Sequence, residues 1–219
     1  MKLIYFQTRG RAENIRLLCA LAELPVEDQY VNTHAEWVAT HRPYGQLPVL
    51  VLDNGETLSQ CKSIIGYIAR QAGLYPTDSL GIARTEEVME AAADMASEIA
   101  KGFCADEAAR SAAIASFKQN CARWLTVWEK LLKDKPFLIG DKVTVADAMA
   151  FKCVEDLVMY IGEDEAIGGF PEVARWRSSF GAIKEVADYL KSEKHLPFPM
   201  TAEGVAETFR YYGSILRGA

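Results

Sequence analysis

Up to about Gly73, short apolar runs of the β type alternate with stretches spaced like helices. Leu3-Ile4-Tyr5-Phe6 predicts a strand, Ala12 to Ala22 a helix and Gln29-Tyr30-Val31 a second strand. Val49 to Leu52 and Thr57-Leu58 predict two more strands, and Cys61 to about Ala72 another helix. Asp53-Asn54-Gly55 lies between the last two strands, and Asn and Gly tolerate the positive φ that a tight hairpin demands. Those strands are therefore expected to run antiparallel, while the helix between the first two makes them parallel. Leu74-Tyr75-Pro76-Thr77-Asp78-Ser79-Leu80-Gly81 breaks the pattern, and strand signals end there. The expected division is a first domain over 1–76 and a helical one over 84–219.

In the second part, Ile114, Phe117, Cys121, Trp124, Trp128, Leu131 and Leu132 recur every three to four residues, which puts them on one helix face. An aromatic stripe of this kind reads as a buried seam rather than a cofactor wall. Thr144-Val145-Ala146-Asp147 precedes another apolar run and has the form of a capping box. Thr144 is expected to accept from the Asp147 amide while the Asp147 carboxylate reaches back.

Composition narrows the function. Across 219 residues there are 24 Lys and Arg against 30 Asp and Glu, a net charge of −6, which opposes binding to nucleic-acid phosphates or anionic lipid. The apolar run Leu47 to Leu52 falls far short of the roughly 18 residues a bilayer crossing needs. The N-terminal apolar run is too short for a secretory signal, so a cytoplasmic location is expected. Five widely spaced cysteines without a Cys-x-x-Cys fit reduced thiols. Glycine-rich phosphate loops and a nucleophile elbow are missing, and His34, His41 and His195 have no metal-ligand spacing, so no metal is expected.

One set of motifs points to a specific chemistry. Tyr5-Phe6-x-x-Arg9-Gly10-Arg11-Ala12-Glu13-x-Ile15-Arg16, Trp37, Tyr44-Gly45-Gln46-Leu47-Pro48-Val49, Thr57-Leu58-x-Gln60 and Gly140-Asp141-x-x-Thr144-x-Ala146-Asp147 follow one another across nearly the whole chain. In this order they resemble the cytosolic glutathione S-transferases of the tyrosine-type classes, with pi-like and sigma-like features. The resemblance implies an α/β thioredoxin-like N-terminal domain (βαβ-α-ββα, mixed sheet) followed by an all-helical C-terminal domain. In a thioredoxin-like layout, Pro48 opens the third strand. A cis Leu47-Pro48 peptide would turn the Leu47 backbone outward to pair with an extended peptide, and an ordinary trans proline at a strand start is the open alternative.

Glutathione, as co-substrate, is the ligand the resemblance implies, and its thiol needs activation. The thiolate is the nucleophile, so the sulfur's pKa must fall by roughly two units, about 2.7 kcal/mol. The resemblance assigns that task to the Tyr5 hydroxyl, with the Arg11 guanidinium and the first helix's N-terminus adding positive potential. Thr8 is a second candidate for the hydroxyl, because serine-type relatives place theirs in this loop. Leu47 and Pro48 are expected to meet the cysteinyl backbone, Trp37 and Gln46 the glycyl end and the peptide backbone. Gln60 and Cys61 sit where the γ-glutamyl group is expected, at a helix N-terminus. Cys61 departs from the family's Ser or Thr and donates a weaker hydrogen bond. The family's lysine after the tryptophan is missing, with His41 or Arg42 nearest, and Glu98 matches an Asp that reaches glutathione from the partner subunit.

The resemblance also implies a hydrophobic electrophile near Phe6, Thr8, Phe103 and Phe209. The tail from Thr201 to Tyr212 has a cap residue and helical spacing, and both a lid and a docked terminal helix are open. Tyr44 matches the aromatic key of a homodimer. Conjugation of glutathione to electrophiles is the expected activity. Glutathione-dependent isomerisation, as in prostaglandin D synthases, and a non-catalytic crystallin-like or ligand-binding role are its alternatives.

Overall fold

The structure is a computed structural model that describes residues 1–198 and 200–218. Its first part contains β1 (Lys2–Tyr5), α1 (Glu13–Leu21), β2 (Glu27–Tyr30), α2 (His34–Ala39), β3 (Val49–Val51), β4 (Thr57–Ser59) and α3 (Cys61–Gln71). The strands form one mixed sheet in the order β2-β1-β3-β4. β1 runs parallel to β2 and antiparallel to β3, and β3 to β4 is antiparallel, as the connections require. The expected hairpin is present: Gly55 has φ +85°, and the Glu56 N–H donates to Asn54 Oδ1 at 3.0 Å.

Alternation along the strands decides what each face of the sheet meets. Leu3, Tyr5 and Leu50 point toward Ile15 and Leu18 of α1 and Ile64, Ile65 and Ile68 of α3, in the main core. Ile4 and Val49 point to the other face, where they join Val31 and Ile215 in a small separate cluster, with Trp37 and Tyr212 packed against it.

The remainder is helical: α4 (Ser79–Ile99), α5 (Glu107–Leu131), α6 (Val145–Ile161), α7 (Glu163–Ile167), α8 (Pro171–Gly181), α9 (Lys184–Lys191) and α10 (Ala202–Arg217). α4 starts earlier than the sequence pattern suggests. Ser79, Leu80 and Gly81 are helical because the Asp78 carboxylate accepts from the Gly81 N–H at 2.8 Å and caps the helix. The stripe on α5 is core as expected, with Phe117, Cys121, Trp124 and Trp128 buried.

The capping box at α6 forms as expected, with the Asp147 N–H and the Asp147 carboxylate both turned back on Thr144. The Asp147 carboxylate reaches back to the Thr144 N–H at 2.9 Å and also accepts the Thr144 hydroxyl at 3.0 Å, while the Asp147 amide donates to the Thr144 carbonyl. The Leu138 N–H and Trp176 Nε1 each add a bond of 3.0 Å. Burial pushes the carboxyl's pKa up, and these four donors oppose that. Asp147 thus ties the loop before α6 and helix α8 to the start of α6.

Candidate active site

Tyr5 ends β1 with its ring buried between the sheet and the turn that follows. Its oxygen accepts from the Arg11 backbone N–H at 3.1 Å, which leaves the phenolic proton free to donate. Burial is the largest influence on its pKa and raises it, so the phenol stays protonated at neutral pH and is a donor to an anion. The turn can come this close only because residue 10 is glycine: φ is +41°, and a Cβ there would lie 2.6 Å from the Tyr5 oxygen.

The turn between β1 and α1 is held from below. Arg16, buried in α1, donates to the Thr8 carbonyl at 2.9 Å and to Asp28 Oδ1 at 2.8 Å. Glu13 accepts from the Tyr189 hydroxyl at 2.9 Å, tying this turn to α9, and the Arg9 guanidinium bonds the Leu196 carbonyl.

A cavity of about 580 Å³ opens beside Tyr5, between the sheet-bearing part and the helical part. That volume suits a small organic ligand. Among the expected site residues, Tyr5, Arg11, Phe6, Thr8, Cys61 and Phe103 line it. Cys61 opens α3, and its thiol lies 3.7 Å from the Arg11 carbonyl; burial pushes its pKa up, with the Arg11 charge opposing. The thiol is therefore protonated rather than an activated thiolate.

The other expected glutathione residues stand outside the cavity lining: His41, Gln46, Leu47, Pro48 and Gln60 in the loops beside the sheet, Trp37 on α2 and Glu98 on α4. The Leu47-Pro48 peptide is cis. Among the described residues, the Leu47 backbone has no backbone hydrogen-bond partner, so it is available to an added strand. Gln60 precedes α3 at φ +70°, an unusual conformation for a residue other than glycine, and its amide donates to Gln46 Oε1 at 3.4 Å. Trp37 stacks on Phe6 at 6.0 Å, and the Arg42 guanidinium sits 3.5 Å over its ring. His41 is exposed. Glu98 faces α5, and Lys101 on its own turn and Asn120 on α5 engage its oxygens and hold its pKa below the usual carboxylate value.

The tail is a docked helix that also walls the cavity. Ile215 and Val205 are buried, Tyr212 packs on Phe6 at 4.5 Å, and Thr208 and Tyr212 line the opening. Phe209 stacks edge-on against Phe103 at 5.2 Å but stays half exposed and outside the lining. Sequence reasoning missed the deeper wall, Asn14, Met149, Lys152, Asp156, Tyr160 and Phe198. The spacing of Lys152 and Asp156, one turn apart on α6, was the available signal.

Among the described residues no helix is long and apolar enough to cross a membrane, and no group of His, Cys, Asp or Glu is arranged to hold a metal ion. The model for the glutathione S-transferase N-terminal domain matches residues 1–70, and that for the glutathione S-transferase C-terminal domain matches 93–193. S-crystallin SL11 of Nototodarus sloanii is 26% identical over 203 residues, covering 90% of this chain and 98% of the relative. Glutathione S-transferase alpha-4 of Rattus norvegicus is 27% identical over 197 residues, covering 87% of each. Among solved structures, rat hPGDS complexed with a quinoline superposes with a TM-score of 0.76 at 25% identity, covering 91% of this chain and 98% of that one. The glutathione S-transferase Blo t 8 superposes at 0.80 with 20% identity, covering 93% and 100%. With both halves matched in order on a thioredoxin-like domain followed by a helical one, the chain belongs to the glutathione S-transferase family.

Proposed function

We propose that this protein conjugates the thiolate of glutathione to hydrophobic electrophiles, with the Tyr5 hydroxyl donating to the sulfur. The observation that carries this reading is the Tyr5 oxygen, which accepts from the Arg11 N–H and keeps its own proton to give. The glutathione thiol releases its proton to solvent, the Tyr5 O–H stabilises the resulting anion, and Arg11 adds positive potential. The sulfur's electron pair then forms a bond to the electrophile's carbon, which expels a leaving group or passes electrons to an adjacent carbonyl. The unpaired Leu47 backbone and the Gln46–Gln60 pair support peptide binding at the sheet edge. The apolar walls at Phe6, Phe103 and Met149 support an apolar second substrate.

We also propose a two-fold homodimer. Tyr44 is 69% exposed, and a groove of about 430 Å³ between α4 and α5, lined by Val88, Ala91, Trp124, Val127 and Leu131, matches an aromatic side chain in character. The Cys61 thiol and the S-crystallins among the relatives favour a second reading, a ligand-binding protein without turnover.

Ultraviolet difference absorbance of bound thiolate, with glutathione titrated across neutral pH, separates the two. A thiolate with a pKa well below that of free glutathione, lost in Tyr5→Phe while glutathione still binds, is the expected result. Binding without thiolate in the wild type supports the second reading. Full turnover in Tyr5→Phe, with none in Thr8→Ala, moves the hydroxyl to Thr8.

A further inference from the structure

The segment that closes one side of the cavity is lightly built. Residues 192–198 leave α9, pass the start of α1 and put Phe198 into the cavity wall, and α10 adds Thr208 and Tyr212. Of the 16 residues of α10 only Ala202, Val205 and Ile215 are buried, which places the segment where local opening is easiest. Its fastenings to the rest of the molecule therefore matter. The Arg9 guanidinium bonds the Leu196 carbonyl and Arg110 bonds the Met200 carbonyl, and arginine keeps its charge at any ordinary pH. The two ends are held by groups that titrate. At the start, His195 Nδ1 lies 3.0 Å from Glu13 Oε1; at the finish, His34 Nδ1 lies 2.8 Å from the Ile215 carbonyl oxygen in the last turn of α10.

Each contact gains when its histidine is protonated. His195 Nδ1 is buried and makes no aligned hydrogen bond, so charge is what it offers Glu13. Glu13 also accepts from the Tyr189 hydroxyl, which burial keeps protonated. Arg16 stands 3.8 Å from Glu13 but is bonded to Asp28 of β2 at 2.8 Å. Two buried carboxylates thus share one guanidinium, and a cationic His195 balances them where screening is weak. Of the other cations nearby, Lys194 precedes His195 in the chain, and Lys152 of α6, which also feels Glu13, is held by Asp156. His34 faces the negative end of the α10 dipole. A carbonyl only accepts, so this bond needs a proton on Nδ1, which the cation always carries and the neutral ring carries in one of its two tautomers. The groups around His34 are otherwise engaged: Glu36 accepts the Asn32 and Thr33 N–H groups, Tyr211 bonds Asn32, and the Arg217 guanidinium folds back beside Gly213.

We propose that residues 192–198 and α10 form a lid over the cavity that is fastened at both ends by histidines and closes more firmly as they gain protons. Histidine changes charge between about pH 5 and 8. Because each cation has a partner only while the lid is seated, closure takes up protons. The lid is tightest at the acid end of that range and loosens as pH rises through it. This holds whether or not the cavity receives an electrophile.

Hydrogen exchange read by mass spectrometry on the full-length protein, without glutathione or any other ligand, measures lid opening directly. Protection is compared at about pH 6 and about pH 8 after correction for the intrinsic pH dependence of exchange, with α6 as the internal control. Protection in α10 is expected to fall about fivefold between the two, the scale of one or two partly screened charge contacts, while α6 holds steady. In the double variant His34→Gln, His195→Gln, which keeps a donor at each end without a titrating charge, α10 protection is expected to be the same at both pH values and close to the wild type's at the higher one. Each single variant is expected to remove part of the fall, and the singles carry the test should the double variant not fold. Wild-type α10 protection that does not fall, a fall shared equally by α6, or a fall that survives undiminished in either folded single variant overturns the proposal.

Discussion

Gly10→Ala reaches the candidate chemistry without touching the tyrosine. The added Cβ would lie 2.6 Å from the Tyr5 oxygen and 3.0 Å from its Cε1, about 0.8 Å inside ordinary van der Waals contact at the oxygen. Neither the ring nor the turn yields easily, because Tyr5 is 8% exposed and the turn is anchored by Arg16 on the Thr8 carbonyl. The hydroxyl must retreat from the turn, which breaks its 3.1 Å bond from the Arg11 N–H and re-aims its proton. Two costs follow. Holding alanine at φ +41° costs about 1 kcal/mol of stability. Losing a hydrogen bond to the charged sulfur costs about 1.5–3 kcal/mol, which raises the bound thiol's pKa by about one to two units. Difference absorbance of the thiolate against pH measures the second cost, and urea unfolding the first. A thiolate pKa that moves by less than about half a unit in a folded Gly10→Ala protein refutes the argument that this contact aims the hydroxyl.

Asp147→Ala should destabilise the fold by about 3–4 kcal/mol in urea unfolding, because it leaves the buried Leu138, Thr144 and Trp176 donors without an acceptor. Tyr44→Ala should shift the protein from dimer to monomer in sedimentation velocity while leaving its circular dichroism unchanged. The thiols of Cys19, Cys121 and Cys153 are pushed up to about 12 from 9.0, chiefly by burial. Since the unfolded chain releases these protons first, their contribution to stability is complete below about pH 9 and is lost as pH rises toward 12. The urea midpoint should fall across that window, and Cys19→Ala should reduce the slope.

The first domain was largely legible because its signals are local. Strand alternation, the Asp53-Asn54-Gly55 turn and the spacing of α3 each lie within a few residues, and the order of the motifs carried the rest. The start of α4 was misplaced because Ser79-Leu80-Gly81 looks like a loop until Asp78 is recognised as its cap. The candidate site divided along similar lines. Tyr5, Arg11 and Cys61 share one short stretch of surface, whereas Lys152, Asp156 and Tyr160 reach the cavity through the packing of α6 against α4 and α1, which no local pattern encodes. Glu98 shows the converse. It was matched to a family position by the resemblance, but its direction is set by Lys101 and Asn120, side chains on its own turn and on the facing helix.

The small cluster behind the sheet joins residues from opposite ends of the chain. Ile4, Val31 and Val49 are covered by Ile215, and the His34 ring bonds the Ile215 carbonyl at 2.8 Å. On the ribosome, the first domain leaves the exit tunnel well before the residues that seal it. That face of its sheet therefore has only first-domain side chains such as Trp37 against it until α10 is made, so early folding has to rest mainly on the α1 and α3 side.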